Sequence, residues 1–253
     1  MIHPTNDPMG LAILDELDRR LSNSSGKEKE REPLRVVSSM FDEDEMPVGH
    51  LLRQRDEMPY IEQAALDMAR GRTLDVGAGA GCHSLALQEE GFSVKAIDIS
   101  PLCCEAMRRR GIKDVECMDI FDCAVTERFD TILLLMNGTG IAGKASRLPL
   151  LLNRLKSMLQ SGGQILIDSS DIKYVYMNED GSFDINLNGN YYGEVDYQMI
   201  YKDVKGEPFD WLYIDYGLLS MYAGQCGMRC ELVEEGEHYD YLARLTIEQS
   251  RKA

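Results

Sequence analysis

The stretch Leu74–Gly81 reads Leu-Asp-Val-Gly-Ala-Gly-Ala-Gly, and no other eight residues constrain this chain as tightly. A short apolar strand runs into three alternating glycines, and Cys82–Glu90 then has the character of a helix start. Glycine adopts positive φ without a Cβ clash and lets a ligand come close to the backbone. The helix behind it aims free N–H groups and a partial positive charge at the same place. A strand–glycine–helix unit of this kind belongs in an open α/β sheet and suits a nucleotide-like ligand.

Spacing and charge separate the ligands. In the dinucleotide fingerprint a third glycine falls three positions after the second and the loop holds a pyrophosphate. Here that position is Cys82, and the pattern is Gly77-x-Gly79-x-Gly81. Asp75, two residues before the first glycine, would repel a pyrophosphate but suits the ammonium and sulfonium of S-adenosylmethionine. The strand Phe92–Ile99 carries Asp98, 23 residues beyond Asp75, about where an acid grips both ribose hydroxyls. Val115–Ile120 places Asp119 where a carboxylate could accept from an adenine amine. Asp98 and Asp119 could each instead cap a helix, although Ser100-Pro101 offers a competing cap and first-turn pair that frees Asp98.

These motifs together resemble the class I S-adenosylmethionine-dependent methyltransferases, well over residues 59–170 and more loosely beyond. The resemblance implies a cofactor set of Asp75, Val76, Gly77, Ala78, Gly79, Gly81, His83, Asp98, Ile99, Asp119 and Ile120. It also implies that Asn137, after the strand Phe129–Met136, faces the transferred methyl group and counts as a catalytic residue. Arg55 is expected either to hold the methionine carboxylate or to form a surface ion pair with its acidic neighbours. His83, at a helix N-terminus beside the glycines, is the nearest candidate base, or else contacts the cofactor or packs.

The fold this implies is α/β: a Rossmann-like, doubly wound, mostly parallel seven-stranded sheet with a closing antiparallel hairpin. Strands are expected at 73–77, 92–98, 114–118, 129–136 and 163–168, with helices at 82–90, 101–110 and 146–159. Right-handed crossovers gather the glycine and carboxylate positions at the C-terminal ends of the strands. A helix near 217–227 and strands near 229–235 and 239–247 would close the core. Four segments follow: an N-terminal helical and linker segment 1–57, a cofactor core 58–173, an aromatic insertion 174–216, and the core's end 217–253. Within the first, Met9–Leu21 has helical apolar spacing and Ser22–Pro33 reads as a linker.

Nine of twelve tyrosines and the single tryptophan lie between Tyr174 and Tyr222. Val195, Tyr197, Met199 and Tyr201 alternate, a turn follows at Lys205–Pro208, and Phe209, Trp211 and Tyr213 alternate after it. That predicts an inserted β-hairpin after strand five. It forms either an aromatic lid over a substrate pocket, or a β-layer packed on the N-terminal segment or a second subunit. Tyr60, Asp168, Ser169, Asp171, Tyr197 and Trp211 are the candidate substrate contacts, with Asp168 or Asp171 alternatively capping a turn.

A net charge of −16 repels phosphate backbones and disfavours a nucleic-acid partner. No run approaches a membrane span, and seven cysteines without metal-like pairs fit reduced thiols, so a cytoplasmic enzyme with no metal is expected. The expected reaction is in-line methyl transfer to a small-molecule acceptor. A protein substrate, aminopropyl transfer and a catalytically silent cofactor-binding scaffold are the alternatives, with a homodimer through the aromatic hairpin an expected assembly.

Overall fold

The computed structural model of the protein describes residues 1–22, 32–122, 126–186 and 188–248. Most of the expected linker 22–33 therefore lies outside the described residues. The elements are α1 (Pro8–Leu21), β1 (Leu34–Val37), β2 (Asp44–Met46), α2 (Tyr60–Asp67), β3 (Arg72–Val76), α3 (Cys82–Glu89), β4 (Ser93–Asp98), α4 (Pro101–Arg109) and β5 (Asp114–Cys117). They continue with β6 (Phe129–Leu134), α5 (Leu148–Ser157), β7 (Leu159–Ser170), β8 (Glu194–Tyr201), β9 (Val204–Lys205), β10 (Phe209–Leu212), α6 (Tyr216–Gln225), β11 (Met228–Glu235) and β12 (Asp240–Ile247).

Seven strands form one mixed sheet in the order β11-β12-β7-β6-β3-β4-β5. The pairs β4–β5 and β6–β7 are parallel, while β12 runs antiparallel to both β7 and β11. Ile132–Leu134 and Ile165–Ile167 are fully buried, as strands covered on both faces require. The sheet matches the Rossmann-like expectation, closing antiparallel pair included.

A second sheet has the order β10-β8-β1-β2, with β9 also paired to β8. The N-terminal segment is thus not purely helical: Arg35, Val36 and Val37 pair antiparallel with Ile200, Met199 and Gln198. At four and three residues, β1 and β2 are too short to announce themselves by alternation.

The described chain falls into two compact units that do not follow the four expected segments. The first comprises residues 1–58, 75–123 and 196–209; the second comprises 59–74, 124–195 and 210–253. The expected insertion 174–216 is therefore divided, its central strand residues belonging to the first unit.

In the first unit, α1 buries Ile13 and Leu17 with Cys103 and Ala106 of α4 and with Leu51, Leu52 and Ala80. Ala12 packs with Leu34 and Tyr201. Asp7 caps α1 by accepting from Gly10 N at 2.8 Å, and Ser100 caps α4 by accepting from Cys103 N at 2.9 Å. The Ser100 hydroxyl also donates to Asp7, joining the two caps.

In the second unit, α5 buries Leu148, Leu151, Leu152 and Leu155. Asp215 caps α6, accepting from Leu218 N at 2.9 Å. Among the described residues no helix is long and apolar enough to cross a membrane, and no His/Cys/Asp/Glu group of three or more could hold a metal.

Candidate cofactor and acceptor sites

The first unit holds the glycine turn. Gly77, Gly79 and Gly81 have φ of 70°, 56° and 76°, a backbone that L side chains resist. At Gly79 a Cβ would have only Met9 Cε as a near neighbour, at 3.7 Å, so that glycine leaves open space. At Gly81 a Cβ would strike Ile112 and Met107 (Cγ, 2.9 Å), so that glycine is required for packing. Val76, Ala78 and Ile120 are buried beside the turn's strands, whereas Ile99 is 41% exposed.

Asp75 is buried at the end of β3, and its Oδ2 accepts from the Ser84 hydroxyl at 2.6 Å. Burial pushes its carboxyl up, and His83 together with Ser84 opposes that shift. His83 is buried at the second position of α3, its charge acting on Asp75. That placement couples the imidazole to the turn, and it is not displayed as a base toward solvent.

Asp98 ends β4 with both oxygens on backbone donors: Oδ2 accepts from Gly79 N and Oδ1 from Ser100 N, each at 2.8 Å. Burial first, then the charges of Asp7 and Asp75, push its carboxyl up to about 6, against the pull of those two N–H groups. Each carboxylate oxygen can accept twice, so two acceptor positions remain for a diol. Three buried carboxylates that disfavour one another's charge suit a cationic ligand. Asp119 uses Oδ1 to accept from Phe121 N at 2.9 Å, capping a turn rather than a helix, and leaves Oδ2 for an amine. The donors, acceptors and open glycine face of this unit fit S-adenosylmethionine.

Arg55 forms a surface ion pair, one of its two expected roles, but not with its sequence neighbours. Its guanidinium pairs with Glu90 at the C-terminal end of α3, about 12 Å along the helix axis from the glycines. The acid that captures it lies 35 positions away, so adjacency to Asp56 and Glu57 could not identify the partner.

The second unit carries the expected acceptor residues, and several have structural duties instead. Asp168 accepts from three successive backbone N–H groups, Met136, Asn137 and Gly138, at 3.0, 2.7 and 3.3 Å. This fixes a turn in which Met136 and Asn137 both take positive φ, 64° and 58°, a strain on the order of 1–3 kcal/mol apiece. Burial, reinforced by Glu62, pushes the Asp168 carboxyl up to about 7 despite those bonds. Ser169 is likewise committed: it meets Thr139 Oγ1 at 2.8 Å and accepts from Ile214 N at 3.0 Å. Asp171 accepts from Lys173 N at 3.0 Å and from the Tyr192 hydroxyl at 2.7 Å. Burial alone would raise its carboxyl, but the bonds from Lys173 and Tyr192 hold it below the usual range.

Asn137 remains available. Its Oδ1 accepts from the Ser170 hydroxyl at 2.9 Å, and its amide nitrogen has no protein partner among the described residues. Trp211 lies flat over Gly140, where any Cβ would collide with the indole. Tyr60 is 68% exposed at the start of α2. Tyr197, in the first unit, packs its ring 6.1 Å from that of Phe209 across the second sheet.

A cluster that sequence did not single out accompanies them. Tyr191 donates to Asp215 at 2.8 Å, and the rings of Tyr191 and Tyr192 sit 4.5 Å apart. Their adjacency was legible, but the acids they reach lie 24 and 21 positions away. Asp7 and Ser84 were also missed; Asp7-Pro8 carries the cap-and-proline signal that could have found the first.

Residues 73–163 match the family described as a methyltransferase domain. Cypemycin N-terminal methyltransferase from a Streptomyces species is 31% identical over 105 residues, 40% of this chain and 43% of that protein. The chain thus spans less than half the length of that curated relative. The sugar N-methyltransferase KedS8 from Streptoalloteichus shares the fold at 14% identity, with a TM-score of 0.56 over 79% of this chain and 88% of that one. A SAM-dependent methyltransferase from Bacteroides fragilis, solved with S-adenosyl-L-homocysteine, is 51% identical and covers 98% of both chains at a TM-score of 0.89. Likeness of that degree along the whole length decides the matter: the chain belongs to the class I S-adenosylmethionine-dependent methyltransferases.

Proposed function

We propose that the chain transfers a methyl group from S-adenosylmethionine to a small-molecule acceptor by in-line displacement. The cofactor supplies a methyl group already activated on a sulfonium, so binding and alignment carry much of the acceleration. Asp98 takes the ribose hydroxyls, Asp75 the cationic amino-acid end and Asp119 the adenine amine. Asn137 contacts the acceptor. The observation that carries this is Asn137 itself, held in a strained turn at the end of β6 with its amide nitrogen unclaimed. Tyr191 and Tyr192, fixed by Asp215 and Asp171, supply aromatic faces suited to a compact acceptor. The charge of −16 argues against a nucleic-acid substrate.

A peptide substrate is the second reading, favoured by one observation: the curated relative is named for N-terminal methylation. Tritium transfer from labelled S-adenosylmethionine to glucosamine, catechol, alanyl-alanine and intact lysozyme separates the readings. Label in glucosamine or catechol is the expected result. Label confined to alanyl-alanine or lysozyme would transfer the proposal to peptides, and none at all with intact cofactor binding would favour a silent scaffold.

A further inference from the structure

Asp168 and Ser170 are committed to a residue other than themselves. The Asp168 carboxylate gathers the N–H groups of Met136, Asn137 and Gly138. Successive N–H groups converging on one anion form a nest, and neutralising that anion removes the charge its three N–H groups point at. The Ser170 hydroxyl then donates to Asn137 Oδ1, and Gly140 N donates to the Asn137 carbonyl at 2.9 Å. Both oxygens of Asn137 are therefore engaged, and what the residue offers outward is the amide N–H₂.

We infer that Asp168 and Ser170 are positioning residues for Asn137, the carboxylate fixing its backbone and the hydroxyl fixing its amide, so that Asn137 acts as a hydrogen-bond donor. This rests on the proposed contact between Asn137 and the acceptor, and it deepens that contact. An amide offering only N–H₂ recognises a lone pair, on a hydroxyl, a carbonyl or an unprotonated amine, and rejects an ammonium group. Neither positioning residue touches the acceptor. The arrangement also accounts for an acid at a position where burial opposes its charge.

The groups facing Asp168 are Glu62 of α2 and Tyr241 of β12. Both resist a further negative charge, so the nest loosens as pH falls and the carboxylate takes a proton. Nuclear magnetic resonance of the ¹⁵N-labelled full chain with S-adenosyl-L-homocysteine tests this without any acceptor. The backbone amides of Met136, Asn137 and Gly138 are expected to move together with one midpoint near 7, the value to which burial carries Asp168. In Asp168→Asn that shared titration disappears. In Ser170→Ala it persists, while the Asn137 side-chain N–H₂ pair shifts or broadens. If Asp168→Asn does not fold, the wild-type titration still decides. Three amides that move on separate midpoints or stay flat from pH 4 to 8.5, or a Ser170→Ala protein with an unchanged Asn137 side-chain pair, would overturn the inference. Either result is independent of whether any acceptor is methylated.

Discussion

The Ser84 hydroxyl donates to the Asp75 carboxylate at 2.6 Å, binding the first turn of α3 to the end of β3 across the glycines. The bond lowers the Asp75 carboxyl against the burial that raises it. The methyltransferase turn is therefore held from both sides.

Ser84→Ala should weaken S-adenosylmethionine binding roughly tenfold, the scale of one lost hydrogen bond to a charged group. Losing the bond lets burial carry the Asp75 carboxyl higher, so less of it is ionised at low pH. The deficit should be larger at pH 6 than at pH 8. Calorimetric titrations at the two pH values measure it, and an equal deficit at both would contradict the role given to Ser84.

Asp98 holds its proton up to about pH 6 in the fold, above the usual 3.8. A raised carboxyl contributes stability that is present below its unfolded value and lost as pH rises through the folded one. The wild type should therefore lose stability relative to Asp98→Asn between pH 4 and 7, by up to about 3 kcal/mol. Urea unfolding across that range checks it, a constant difference being the contrary outcome.

Ser169→Ala should cost about 1–3 kcal/mol, because Ile214 N and the Thr139 hydroxyl lose a buried partner. Cofactor affinity should hardly change. A shift in affinity without loss of stability would return Ser169 to the role of a ligand contact.

Gly140→Ala would push a methyl group into the Trp211 indole, an overpacking worth about 1–3 kcal/mol. Since Trp211 is the only tryptophan, its fluorescence reports the displacement directly. An unchanged emission spectrum with unchanged stability would show that the ring does not rest there.

The parallel core was legible because its signals are local: apolar runs such as Ile132–Leu134, glycines at fixed spacing, and Ser100-Pro101 at the head of α4. The positions of Asp75 and Asp98 near the ends of β3 and β4 were legible for the same reason. What sequence could not show was side-chain commitment over distance. Ser169 looks like a free acceptor contact, and Asp168 like a contact or the cap of a following turn, until β6 and β7 lie side by side and their polar groups engage Thr139 and the turn at 136–138. For Arg55 the expected surface ion pair forms, but its partner was not legible, since Glu90 becomes its neighbour only once α3 has formed. The strands β1 and β2 escaped because their order comes from pairing, β1 with β8 and β2 with β1, rather than from any pattern of their own.

The most direct test of the account is calorimetric titration of S-adenosylmethionine into the wild type and Asp98→Ala at pH 7.5, with both shown folded by circular dichroism. One-to-one binding to the wild type, weakened at least about tenfold in the variant through the loss of two hydroxyl–carboxylate bonds, is the predicted result. Equal affinity in the two proteins would contradict it.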